Sequence, residues 1–239
     1  MVLMTALLLV APASNASPSN LPNLGDESGI VISPVEERKI GERVFRQIRG
    51  SLRYVSDPEV SLYIQDLGQK LIAHSDSTDS PFTFFILEDP TINAFAMPGG
   101  FIGMHTGLIM AAQSESEVAG VLAHEMAHVT ERHGLERIAS ALGLVGVVQL
   151  LLGDAGGLVA IATQLFTLAA VNGYSRGQEA EADAVGVETL HASGLDATAL
   201  VTFFTRLRAL EADRALADTE TTDGTTPQQG TLDWLSTHP

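Results

Sequence analysis

The spacing of apolar residues along the chain predicts a mostly helical protein with one short β region. Ser33 followed by Pro34 is a helix-start signal, because serine caps free N–H groups and proline fits the first helical turn. That helix is predicted to end at Gly50, and Asp57 starts a second helix by the same signal. Apolar residues within 60–72 recur at the helical period, which predicts one buried face.

The apolar period changes to that of β-strands in the next part of the chain. Residues 82–87, 92–96 and 101–105 carry the aromatic and branched apolar side chains that favour strands. The last two segments are separated by a turn at 97–100 that contains Pro and two Gly. We therefore expect an α+β fold, dominated by helices, with a small antiparallel sheet over the helix described next.

A central helix is predicted from a capping signal. Ser114 followed three residues later by Glu117 is the pattern of a capping box, in which each residue satisfies the other's free N–H group. We expect this helix to end near His133. Two further helices are predicted over 177–192 and 196–212.

Two strongly apolar stretches, 138–152 and 157–171, follow the central helix and are separated by a Gly-rich break. Neither reaches the roughly 20 residues that a membrane-spanning helix needs. We expect a buried helical hairpin, and the alternative is peripheral contact with a membrane through 138–171. The segment 213–230 is polar and rich in turn-forming residues, and we expect it to be mobile.

The composition excludes several classes of function. The net charge is −16, from 13 Lys and Arg against 29 Asp and Glu, which argues against nucleic acid as a partner. The chain has no cysteine, so disulfides, thiolate metal sites and cysteine nucleophiles are excluded. A bound metal would have to be held by His, Asp or Glu.

The N-terminus resembles a secretory signal peptide without its basic start. Residues 1–10 are apolar, and the small residues up to Ala16 offer a cleavage site. No Lys or Arg precedes Arg38, whereas a complete signal begins with a basic segment. We expect residues 1–16 to be a truncated signal peptide and 17–32 a linker, which predicts export to the periplasm or cell envelope.

The strongest chemical signal is a His-Glu-Met-Ala-His motif at 124–128, on the predicted central helix. Residues four apart lie on one face of a helix, so His124 and His128 can present two imidazoles to one zinc ion. Glu125 is rotated by about 100° and can reach a water on that ion. Zinc lowers the pKa of such a water and a carboxylate can take its proton, which indicates a hydrolase.

A downstream acidic segment offers candidates for the third metal ligand. Glu179 and Asp183 are four residues apart on a predicted helix, so both can face the motif. Glu179 could complete a His₂Glu site, and Asp183 could accept the free ring N–H of a ligand histidine. Spacing alone does not choose between Glu179 and Glu181, and an acidic solvated face is the simpler alternative.

Three motifs in order resemble one family of zinc metallopeptidases. They are Ile92-Asn-Ala-Phe-Ala-Met-Pro-Gly-Gly-Phe-Ile-Gly with Thr106-Gly-Leu-Ile, then His124-Glu-Met-Ala-His-Val, then Glu179-Ala-Glu-Ala-Asp. From Ser33 to Pro239 the chain is similar to the family that includes the CAAX-prenyl proteases and HtpX, and most similar to its periplasmic branch. The resemblance implies a zincin-like domain over 33–239. It also implies one Zn²⁺ per chain with ligands His124, His128 and Glu179, the base Glu125, and Asp183 beside a ligand histidine.

The resemblance implies further roles outside the metal ligands. Asn93 and Ala94 match the edge strand on which substrates of such peptidases pair as an added strand, while packing in the core is the simpler interpretation for Phe95. His238 matches a segment whose histidine can occupy the open zinc position in a resting relative, and a disordered terminal histidine is the alternative. We expect His133 at a helix end or beside a ligand, not on the metal.

These expectations together describe a zinc metalloendopeptidase that hydrolyses unfolded or misassembled envelope proteins. Tyr174 and Arg176 are candidates for the donor that stabilises the oxyanion. The alternative is a chaperone-like envelope module that keeps zinc for structure and binds extended clients. Glu125 argues against that alternative, because a structural zinc site needs no base beside it.

Overall fold

The computed structural model describes residues 32–50, 52–75, 81–152, 157, 160 and 174–220. The elements in chain order are α1 (Pro34–Arg49), α2 (Pro58–Ile72), β1 (Thr83–Leu87), β2 (Ala94–Met97), β3 (Phe101–His105), α3 (Thr106–Ala111), α4 (Glu115–Thr130), α5 (His133–Leu152), α6 (Arg176–Ala192) and α7 (Ala199–Glu220). The expected α+β fold, dominated by helices, is confirmed.

The three strands form a mixed sheet in the order β1-β3-β2. β2 and β3 are antiparallel, with Ala94 opposite Met104. β1 and β3 are parallel, with Thr83 opposite Phe101. The prediction of an antiparallel sheet is therefore wrong for one of the two strand pairs. Side chains alternate in the same way in both kinds of pair, so the sequence pattern could not reveal that β3 lies between β1 and β2.

The two faces of the sheet pack against different helices, because successive side chains of a strand point to opposite faces. One face joins a core with α2, α4, α6 and α7, to which the strands contribute Phe84, Ile86, Ala94, Ala96, Ile102 and Met104. The other face joins a second core with α1 and α5, to which the strands contribute Phe85, Phe95, Met97 and Phe101. The sheet thus covers the central helix α4 on one side, as the sequence predicted.

The predicted turn between β2 and β3 is held by the first helix. Gly99 and Gly100 have φ of 75° and 86°, a region that favours glycine. A Cβ on Gly99 would lie 2.5 Å from the Cα of Arg38, so the turn packs directly on α1. Arg38 Nη1 donates to the carbonyl oxygens of Gly99 at 2.6 Å and Pro81 at 3.0 Å.

The central helix differs from its prediction at both ends. Ser114 Oγ accepts from the Glu117 N–H at 3.3 Å, but the Glu117 carboxylate does not return to Ser114. It accepts instead from the Gln113 N–H at 2.7 Å and from Arg206. At the other end α4 stops at Thr130, three residues before the predicted end, because the chain reverses at Arg132 with φ of 61°.

The last helix is longer than predicted. α7 continues to Glu220, whereas the sequence analysis ended it near residue 212 and placed a turn-rich segment after it. Residues 213–220 contain neither Gly nor Pro and include the strong helix formers Ala215, Leu216 and Ala217, so no residue in this segment ends the helix. The remainder of the predicted mobile segment lies outside the described residues.

Other predictions also lie outside the described residues. These are the signal peptide at 1–16, the linker except for residue 32, most of the apolar stretch 157–171, and His238. In the part of the chain that the structure describes, no single helix has the length and apolar character to cross a membrane. The two halves of α5, His133–Gly143 and Val145–Leu152, meet that test only as a pair, with a bend of 111° between them.

Candidate metal centre

Helix α4 places the His-Glu-Met-Ala-His motif in the interior of the molecule, since every residue from Glu117 to His128 is buried. Helix α6 packs closely on this segment through small residues. A Cβ on Gly186 would lie 3.1 Å from the backbone N and 3.2 Å from the Cα of His124, and Ala182 is completely buried. This close approach lets the acidic side chains of α6 reach the two histidines.

Three side chains converge on one point between the helices. His124 Nε2 and His128 Nε2 are 3.1 Å apart. Glu179 Oε2 lies 3.5 Å from His124 Nε2, and its Oε1 lies 3.8 Å from His128 Nε2. All three side chains are buried, with exposures of 1%, 1% and 4%. Two imidazoles and one carboxylate in this arrangement form a donor set that zinc accepts.

The chemistry of the donor set fits a metal cation. Glu179 Oε2 is buried and has no hydrogen-bond partner among the described residues. A buried carboxylate oxygen without a partner is unfavourable unless a cation neutralises it. The same three residues place one ligand atom each within 4.8 Å of one another. The structure therefore brings together the three residues that the resemblance implied as ligands.

The other acidic residue predicted at the site, Asp183, lies next to the Nδ1 atom of His124. Asp183 Oδ1 is 3.0 Å from His124 Nδ1, on the side of the ring opposite the convergence point. Burial lowers the pKa of His124, but its contacts with Asp183 and Glu179 and the charge of Glu125 outweigh it and raise that pKa to about 9. The His124 ring thus lies in a strongly negative environment that favours a cation.

Glu125 lies beside the ligands, with an exposure of 1%. Its charge contributes to the raised pKa of His124, and burial together with the charge of Glu125 raises the pKa of Tyr174. A carboxylate in this position, next to but outside the ligand set, suits a base for a metal-bound water.

Tyr174 contacts two of the three candidate ligands, His128 and Glu179. Its ring stacks on the His128 ring with centroids 4.0 Å apart and planes inclined by 21°. Its backbone N–H donates to Glu179 Oε1 at 3.2 Å. Arg176, the other candidate donor for an oxyanion, begins α6 with an exposed side chain. The structure therefore brings Tyr174 to the site and leaves Arg176 at the surface.

His133 and Glu181 form a group that sequence reasoning did not assemble. His133 is the first residue of α5, not the last of α4, and only 2% exposed. Its Nδ1 lies 2.9 Å from His128 Nδ1, and its Nε2 lies 3.4 Å from Glu181 Oε2. The sequence analysis left Glu181 only as an alternative to Glu179 for the metal, and no local spacing indicated His133 as its partner.

Strand β2 is an edge strand among the described residues, since it pairs only with β3. The His105 N–H donates to the Asn93 carbonyl at 2.9 Å. Hydrogen-bonded and non-hydrogen-bonded residue pairs alternate along an antiparallel ladder. The backbone N–H and C=O groups of Phe95 therefore also point to β3. Those of Ala94 and Ala96 point to the open edge. Ala96 was missed because this alternation depends on the register.

The side chains around the edge strand have different environments. Ala94 is only 2% exposed, side chain and backbone together. The Phe95 ring packs against Phe85 and His105, with centroid distances of 5.8 and 6.0 Å, which agrees with a core position. Asn93 Oδ1 is buried and has no hydrogen-bond partner among the described residues.

Comparison with known proteins identifies related peptidases. The family model "Peptidase family M48" matches residues 58–239. The putative beta-barrel assembly-enhancing protease of Vibrio cholerae is 39% identical over 209 residues, which are 83% of this chain and 43% of that protein. The beta-barrel assembly-enhancing protease of Escherichia coli is 35% identical over 208 residues, with the same two shares.

A mitochondrial relative is more distant. The metalloendopeptidase OMA1 of Schizosaccharomyces pombe is 28% identical over 184 residues, which are 76% of this chain and 55% of that protein. The chain spans less than half the length of the two bacterial relatives. The family match covers both the histidine motif of α4 and the acidic segment of α6. The chain therefore belongs to peptidase family M48, a family of metallopeptidases.

Proposed function

We propose that this chain is a zinc-dependent endopeptidase that acts on unfolded or misassembled proteins of the cell envelope. The observation that carries the proposal is the convergence of His124, His128 and Glu179 on one buried point beside Glu125. Catalytic zinc sites use three protein ligands of this kind and keep a fourth position for water or substrate. A buried carboxylate beside the ligands has a role in such a site but none in a purely structural one.

The proposed reaction is hydrolysis of a peptide bond with Glu125 as the base. Zinc held by His124, His128 and Glu179 would polarise the scissile carbonyl and lower the pKa of a bound water. Glu125 would take the proton of that water and later deliver it to the leaving amine nitrogen. Asp183 accepts from Nδ1 of His124, so that the Nε2 lone pair is directed to the metal.

The proposed substrate is an extended polypeptide that pairs with the open edge of β2. Ala94 and Ala96 would exchange backbone hydrogen bonds with it, and Asn93 Oδ1 would accept one further N–H. Pairing through the backbone is largely independent of the substrate's side chains, which suits unfolded proteins of varied sequence. The bacterial relatives are named for β-barrel assembly, which supports an envelope location together with the apolar N-terminus.

The test compares wild type with Glu125→Gln for zinc content and for cleavage of an unfolded protein such as casein. We expect the variant to keep zinc and to lose cleavage, because the amide can no longer take a proton. Glu115→Gln is the matched control: the same change on the same helix, at an exposed position. Equal cleavage by wild type and Glu125→Gln would contradict the mechanism. Casein binding with zinc but without cleavage in wild type would favour the chaperone-like alternative.

A further inference from the structure

We propose that His133 and Glu181 are positioning residues that hold His128 in the tautomer and orientation required for metal binding. The inference rests on the proposed metal centre and adds a relay of two hydrogen bonds behind one of its ligands. The relay runs from His128 through His133 to Glu181, over N···N and N···O distances of 2.9 and 3.4 Å.

The position of each proton follows from the geometry of the ligands. His128 Nε2 faces His124 Nε2 and Glu179, so its lone pair is on the metal side of the ring. A neutral imidazole carries one proton, which in His128 must then lie on Nδ1. The His128 Nδ1–H therefore donates to His133, and His133 Nδ1 accepts.

The same reasoning fixes the second ring. Because Nδ1 of His133 accepts, its own proton lies on Nε2. That nitrogen points to Glu181 Oε2, a carboxylate oxygen that can only accept. Both hydrogen bonds of the relay are thus satisfied by one arrangement of protons. Such partners orient a ligand imidazole and increase its basicity.

The two ligand histidines are supported in different ways. Behind His124 a carboxylate accepts directly, since Asp183 Oδ1 lies 3.0 Å from its Nδ1. Behind His128 an imidazole is inserted between the ligand and the carboxylate of Glu181. The three acids of segment 179–183 therefore face different atoms: Glu179 the Nε2 atoms of both candidate ligand histidines, Asp183 the Nδ1 of His124, and Glu181 the Nε2 of His133.

The position of His133 is enforced by the residue before it. Arg132 has φ of 61°, an unfavourable conformation for a residue with a side chain. Such strain persists where the surroundings over-determine it. The buried Glu37 carboxylate accepts from Arg132 Nε at 2.7 Å, and the Ile32 carbonyl accepts from Nη2 at 2.6 Å. These contacts fix the chain reversal that returns His133 to His128.

The first test measures zinc affinity by competition with a chelating indicator. His133→Phe keeps an aromatic ring without an acceptor, and we expect it to weaken zinc binding by roughly 10- to 100-fold. His133→Asn places an amide oxygen near the position of Nδ1, and we expect it to restore most of the affinity. Wild-type affinity in His133→Phe would overturn the proposal, as would equal losses in both variants.

The second test addresses Glu181 and uses Glu188 as its matched control, because both are exposed glutamates on α6. Glu181→Gln should weaken zinc binding severalfold, and Glu188→Gln should leave it unchanged. Equal affinities in these two variants would overturn the role of Glu181. Failure of wild type to bind zinc would instead overturn the proposed metal centre, so the two failures are distinguishable.

A spectroscopic measurement tests the relay without any variant. Long-range proton–nitrogen NMR of the zinc-loaded protein reports which nitrogen of each imidazole carries hydrogen. We expect His128 to be protonated on Nδ1 and His133 on Nε2. A purely structural role for His133 would not require this pair of tautomers. Protonation of His133 on Nδ1 would overturn the proposal.

Discussion

Gly186 of α6 lies directly against the backbone of His124 in α4. A methyl group at this position would lie 3.1 Å from the backbone N and 3.2 Å from the Cα of His124. The contact sets the separation between the helix that carries the histidines and the helix that carries Glu179. Gly186 therefore helps to position the candidate metal site although it has no side chain.

Replacement of Gly186 by alanine should separate the two helices by a few tenths of an ångström. We expect a loss of about 1–3 kcal/mol in the free energy of unfolding, typical of overpacking, together with weaker zinc binding. Gly177→Ala is the control, because its added methyl group would meet only Ser175 Oγ at 3.9 Å. Thermal unfolding and zinc titration check both variants, and unchanged zinc affinity in Gly186→Ala would contradict this role.

The ion pair between Glu117 and Arg206 should stabilise the fold in a pH-dependent way. Arg206 donates to both carboxylate oxygens, at 2.6 and 2.7 Å, and its hydrogen bond lowers the pKa of the buried Glu117. Removal of one partner of a buried pair typically costs about 3–5 kcal/mol, and partial exposure of the arginine should reduce this figure. We expect Arg206→Gln to be clearly less stable than Arg208→Gln, whose arginine is exposed.

The sign of the pH dependence follows from the lowered pKa of Glu117. The stabilisation is fully present above the ordinary carboxyl pKa of 4.5 and is lost as the pH falls through the lower value of the folded state. The stability difference between wild type and Arg206→Gln should therefore shrink below pH 4.5. Urea unfolding at neutral and acidic pH measures it, and a difference that stayed constant would count against this assignment.

The register of β2 predicts opposite effects for proline at two adjacent positions. Ala94→Pro removes an N–H that faces the open edge, so we expect the fold and zinc binding to persist and the KM for casein to rise. Phe95→Pro removes an N–H that faces β3, and we expect it to destabilise the domain. Normal cleavage kinetics in a folded Ala94→Pro protein would argue against substrate pairing at this edge.

The predicted role of His238 lies outside the described residues and is tested by activity alone. A histidine in the open metal position would exclude water, so His238→Ala should increase casein cleavage, with Thr237→Ala as the neighbouring control. Removal of residues 231–239 should have the same effect. No increase in either protein would eliminate the latch.

Features that depend on local spacing were predictable from the sequence. The four-residue spacing of His124 and His128 needs only helix geometry to bring the rings together. The early end of α4 was not predictable, since Gly134 is the stronger local stop signal. The chain reverses at Arg132 because of Glu37, which is 95 residues away in the sequence. Glu117 likewise does not accept from the Ser114 N–H as predicted, and it pairs instead with Arg206, 89 residues away.

The Glu37 carboxylate has a consequence for where a bound polypeptide would be cut. One oxygen accepts from the Gly99 N–H at 3.3 Å, in the turn that ends β2, and the other accepts from Arg132 behind the metal site. A single side chain thus links the turn after β2 to the chain reversal that precedes His133, and under the proposed function it would help to set the distance between the substrate-pairing edge and the metal. The scissile bond would be selected by this distance and not by recognition of a particular side chain. Mass spectrometry of casein fragments should then show displaced cleavage positions for Glu37→Gln.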